Sequence, residues 1–164
     1  MGVWVDVLIV LVSVPIVYIQ SKRGMIPTLI EFFGAYGAFV LVSYIKEPVA
    51  ESVHLFARPE TNLAFFHIFL FVMVCVPVVV FGVFLDNAIV VSLDVFDTIL
   101  GAAFGFAAAV IVCHVIVEGM MIGAVPGGAV ETSIRHSPLA DEALNFTLWH
   151  EFLGAVARLG VYEY

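Results

Sequence analysis

Six ionisable side chains, Asp6, Glu31, His67, Asp97, His114 and Glu118, stand inside or beside long apolar runs of this 164-residue chain. Charge in such surroundings is costly, so each asks for a partner or a task. His114 and Glu118 are four apart and share a helix face, which suits a hydrogen-bonded interfacial pair, a proton relay or half a metal site. Metalloprotease chemistry would need His-Glu-x-x-His, with two imidazoles and a base on one face, and that motif is missing from the sequence. A Ser-His-Asp order, a phosphate-cradling glycine loop and a Walker-type lysine are missing too. No catalytic, metal-binding or cofactor-binding residue is therefore assigned, and an enzyme is not expected. Glu31 reads either as the partner of Lys22 or Arg23 across a turn or as the lining of a polar path. Together Glu31, His67, His114 and Glu118 form the candidate proton or ion path. Asp97 reads as a capping residue, three positions after Asp94, where a carboxylate meets the free amides and positive dipole end of its own helix. Asp6 and Glu31 belong to neighbouring helices but toward opposite ends, so they are not expected to meet.

The elements that must hold these groups follow from composition. Hydrophobic residues make up 63% of the chain and charged ones 12%, with a mean hydropathy of +1.13, too far from a soluble domain to be a generous core. A bilayer is the solvent this implies. A span takes about 20 apolar residues, so the length accommodates four. The net charge of −8 argues against nucleic acid or an anionic membrane surface as the main partner. Cys75 and Cys113 sit within apolar runs without Cys-x-x-Cys spacing and read as small core residues.

The expected fold is all-α: four transmembrane helices at about 3–19, 25–45, 63–85 and 97–119 within a bundle over 1–123, a linker at 124–136, and a C-terminal amphipathic helix at 137–160. The first run lacks a basic flank and a small-residue cleavage site and reads as a retained span. Residues 20–24 form a turn short enough to bring the second span back antiparallel beside the first. The loop at 46–62 has an apolar centre at 49–57 that could lie as a short interfacial helix. Pro77 predicts a kink in the third span. Gly34 with Ala38, and Gly101, Gly105 and Ala109, recur every four residues and offer faces on which another backbone can pack closely. Ser137 with Pro138 marks a helix start, and Leu148, Trp149, Phe152, Leu153, Val156 and Leu159 keep to one face of that helix. Basic residues do not orient the bundle, because either placement of the first turn leaves them split two against three.

In this order and spacing, several short motifs resemble the colicin V production protein family. Val3-Trp4-Val5-Asp6 is similar to the family's opening hydrophobic-Trp-Ile-Asp, Arg23-Gly24 to the Arg-Gly of its first turn, and Glu31 with Gly34 to the Glu and Gly of its second span. Asp97, Leu100, Gly101 and Gly105 resemble its Asp-Arg-x-Leu-Gly-x-x-x-Gly signature, and Ser137-Pro138-Leu139 its Ser-x-Leu before the terminal helix. Thr98 stands where the family usually has arginine, and Ala108-Ala109 replaces a common Arg-Gly, so positive charge beside the third turn is lost. The resemblance implies a multi-pass bacterial inner-membrane protein connected with production or export of a peptide toxin. It implies an accessory or scaffold role, with the lipid bilayer and a membrane protein partner or a second copy of the chain as partners. A small oligomeric transporter or channel subunit using the embedded carboxylates and histidines is the alternative.

Overall fold

The computed structural model describes residues 2–88 and 95–146. Four long helices, α1 (Val3–Arg23), α2 (Met25–Ser52), α3 (Pro59–Ala88) and α4 (Val95–Gly123), are followed by the short α5 (Ala129–Arg135) and α6 (Pro138–Asn145). All four long helices are long and apolar enough to cross a membrane, and the described residues contain no strand. The chain is an all-α, multi-pass membrane protein.

Helix α4 is the centre. Its Ile111 and Val115 pack with Ala35, Ala38, Val42 and Phe71 of α2 and α3. The next stripe, Cys113 and Val117, packs instead with Val5 and Ile9 of α1 and Ile134, Ala140 and Ala143 of α5 and α6. A helix apolar all round can be covered on both sides in this way. α1 leans chiefly on α4 and touches α2 sparingly, so α4 takes the place beside α1 that the short turn suggested for α2. The rest of α1 and most of α3 turn outward, with Val3, Leu11, Val14, Val80 and Phe84 among the exposed apolar side chains. In hydrocarbon these faces are solvated by lipid tails, so they mark the membrane surface of the bundle.

Every long helix runs past the span expected for it. α1 continues through Lys22 and Arg23, and the whole reversal is made at Gly24, with φ 86° and ψ 179°. A side chain is strained at that φ, which is why the turn can be one residue long. α2 passes through Pro48 to Ser52, so no separate interfacial helix forms at 49–57. Asn62 explains the shortened loop. Its buried amide donates to the carbonyls of Ala50 and Val53, each at 2.7 Å, and its oxygen accepts from Leu55 N at 3.0 Å. It thereby satisfies carbonyls that the end of α2 leaves open. α3 is helical through Pro77.

The stretch 124–136, expected as a linker, contains α5. Glu131 accepts from Gly127 N at 2.7 Å and from Arg135 Nε at 2.8 Å, closing the preceding turn. The Gly127 amide, then Arg135, holds its carboxyl below the usual range. α6 starts as its sequence indicated, with Ser137 Oγ accepting from Ala140 N at 3.0 Å and Pro138 in the first turn. It does not run from 137 to 160 as one helix, because it ends at Asn145, where Phe146 takes a left-handed conformation with φ 50°. The amphipathic face beginning at Leu148, and Asp94, lie outside the described residues.

Candidate functional site

The buried polar side chains gather at the two ends of the bundle. At the end where α1 turns into α2, Glu31 accepts from Gln20 Nε2 and, at 2.5 Å, from Arg23 Nη1. Arg23 Nε also lies 3.6 Å from Asp86 of α3. Thr28 Oγ1 donates to the Gly24 carbonyl at 2.6 Å and approaches Gln20. Glu31 is therefore engaged by its own turn. From the first turn of α4, where the sequence places it, Asp97 also reaches a second helix: its Oδ1 accepts from Met25 N at 2.7 Å and so caps the start of α2. The physical reason is proximity, since Gly24 has no side chain and a Cβ there would lie 2.6 Å from Asp97 Oδ2.

Small residues make that approach feasible. A Cβ at Gly101 would fall 2.7 Å from the Gln20 carbonyl, and one at Gly105 2.6 Å from Gln20 Cβ. A Cβ at Gly34 would enter Val78 of α3, and Ala38 and Ala109 are buried. The close-packing faces of α2 and α4 are thus filled from within the chain. Arg23, Gly24, Glu31, Asp97, Gly101 and Gly105, scattered over one turn and three helices, meet at one place. Trp4 and Leu100 do not join them and face outward. Asp6 lies at the opposite end, where its Oδ1 accepts from Ser137 Oγ at 2.6 Å and from Leu139 N at 3.2 Å. Gln20, Thr28, Gly82 and Asp86 also belong to the cluster, Gly82 because a Cβ there would strike Glu31. None of them stands out in sequence, because a polar residue at a helix end is ordinary until its neighbours are known.

The second cluster lies toward the other end. Glu118 Oε1 accepts from Lys46 Nζ at 2.7 Å, and Oε2 lies 3.4 Å from His67 Nε2 and 3.3 Å from His114 Nε2. His67 is fully buried, with neither ring nitrogen hydrogen-bonded among the described residues. His114 Nδ1 is 2.7 Å from the Ala143 carbonyl of α6. Its ring stacks on Phe146 and meets the edge of Phe39, each at 5.0 Å between centroids. Of the candidate path, His67, His114 and Glu118 come together, whereas Glu31 sits about 22 Å away along α2 from Lys46, at 1.5 Å per residue. Lys46 lies one residue past the apolar run that marks the second span in sequence, and the longer helix carries it into the bundle. Four groups that can carry or exchange a proton share this site. Among the described residues no three His, Cys, Asp or Glu side chains are grouped to hold a metal ion.

No curated protein and no solved structure matches the chain. The family profile described as colicin V production protein matches residues 5–147, a stretch that takes in both clusters and, but for the first two residues of α1, the six helices described. A match over that much of the chain, together with the convergence of Arg23, Gly24, Glu31, Asp97, Gly101 and Gly105 around one turn, places the protein in the colicin V production family.

Proposed function

We propose that the protein is an accessory or scaffold component of the bacterial inner membrane, serving production or export of a peptide toxin through helix-helix contact with a membrane protein partner. The observation that carries this reading is Gly37. Around it, in the middle of α2, a Cβ would meet nothing within 4 Å, unlike the other helical glycines described. Its neighbours Phe33, Tyr36, Val40 and Leu41 are exposed. A glycine costs a helix about 1 kcal/mol relative to alanine, so one on a lipid face without internal packing fits a close approach by another helix. Gly101 and Gly105 cannot serve this purpose, being occupied by α1. Cross-linking in native membranes tests the reading: Gly37→Leu should abolish a cross-linked complex while leaving the bundle folded, and an undiminished complex would overturn it.

The alternative, an oligomeric transporter or channel subunit, draws on the Lys46, His67, His114 and Glu118 cluster. Four spans enclose little space, so such a path would need several copies. Proton flux into vesicles holding the wild-type protein should then fall with Glu118→Gln, and flux equal to empty vesicles would remove this alternative.

A further inference from the structure

We propose that His114 and Glu118 share one bound proton, and that this proton fastens α6 to the bundle. The reading is independent of the toxin role. A carbonyl oxygen only accepts, so the 2.7 Å contact with Ala143 requires the hydrogen on His114 Nδ1. Ala143 lies in the last turn of α6, where carbonyls lack partners within their own helix. The other ring nitrogen, Nε2, faces Glu118 Oε2 at 3.3 Å. With a neutral ring and an ionised carboxylate, that contact would set a lone pair against an anionic oxygen. One more proton resolves it, and since Lys46 donates to Glu118 Oε1, the arrangement favours an imidazolium donating to a carboxylate.

The surroundings are defined on each side. Glu118 is faced by Lys46 from α2, His67 from α3 and His114 from its own helix. α6 contributes the Ala143 carbonyl and, just past its end, the Phe146 ring. The acidic groups of α6 are Asp141, which accepts from Asn145, and the half-buried Glu142. On the other elements packed here, Asp6 of α1 is taken up by Ser137 and Leu139, and Glu131 of α5 by Gly127 and Arg135.

Loss of the proton to solvent leaves the ring one hydrogen for two acceptors. The charged carboxylate outcompetes the neutral carbonyl, so the ring changes tautomer, donates from Nε2 to Glu118, and drops Ala143. The far end of α6 then loses its polar tether and keeps only the packing of Ala143 against Cys113 and Val117, while Asp6 keeps hold of its start through Ser137 and Leu139. Proton occupancy thus sets how firmly the far end of α6 is held against the bundle.

The full chain in lipid nanodiscs, with nitrogen-15 in its histidines, provides the test. His114 should be protonated on both nitrogens at low pH and convert to the Nε2-protonated ring as pH rises. Deuterium uptake over 138–146, corrected for intrinsic exchange, should rise at least about tenfold over the same interval, the loss expected for one charge-assisted bond. In Glu118→Gln the amide can donate to His114 Nε2 and accept from Lys46, so uptake should stay low at every pH. A ring that stays neutral and Nδ1-protonated at every pH in the wild type would overturn the proposal, whatever the variant does. So would a wild-type transition that survives in Glu118→Gln.

Discussion

Arg23 and Glu31 show how a costly charge becomes useful inside a membrane. Glu31 is 4% exposed and meets both Arg23 and Gln20, so its negative charge is matched without water. Removing one partner of such a buried pair leaves the other uncompensated, which costs about 3–5 kcal/mol. Glu31→Ala should accordingly lower stability by that amount in denaturant-induced unfolding of the detergent-solubilised protein, and Arg23→Ala should do similar harm. Glu131 works in water instead. Its carboxyl is held below its ordinary value of 4.5 chiefly by the Gly127 amide. A depressed folded-state value means its contribution is full above the unfolded value and disappears as pH falls through the folded one. The Gly127 amide resonance should therefore titrate with a midpoint below 4.5, and that titration should vanish in Glu131→Gln.

Among the elements, α4 is specified by what its glycines lack. Gly101 meets the backbone carbonyl of Gln20, which cannot swing aside as the tip of a side chain can. Gly101→Leu should therefore force α1 away from α4 and cost at least about 1–3 kcal/mol, read as a lower unfolding midpoint. Gly37→Leu, aimed at open space, should not lower that midpoint, and relief of the glycine's helix cost of about 1 kcal/mol should raise it slightly. The α2–α3 connection rests on Asn62 in a comparable way. Three hydrogen bonds from one buried side chain, at about 0.5–1.5 kcal/mol each, join the end of α2 to the loop and the start of α3.

For the molecule as a whole, four crossings place the start of α1 and the α5–α6 segment on one side and Gly24 on the other. Reporters at residues 54 and 136 should then register the same side, opposite to one at Lys22. The two polar clusters sit near opposite faces and are of different kinds. The one at Gly24 ties three helices together through a fixed carboxylate-guanidinium contact. The one at Glu118 brings a lysine and two histidines from three helices to a single carboxylate.

Composition and run length by themselves determined that the described residues carry four helices long and apolar enough to cross a membrane, because hydrocarbon demands long unbroken apolar helices whatever their neighbours are. The helix start at Ser137 and the spacing of Gly101 and Gly105 were equally local, and so were readable. Partners were not. That Asp97 caps α2, that Lys46 reaches Glu118, and that Glu31 stays apart from the histidines depend on which helices adjoin and where each one ends. A few residues of extra helix beyond the apolar run turned a loop lysine into a half-buried one. Only the tertiary structure could decide this, because pairing between groups more than seventy residues apart is a property of packing, not of the chain around either one.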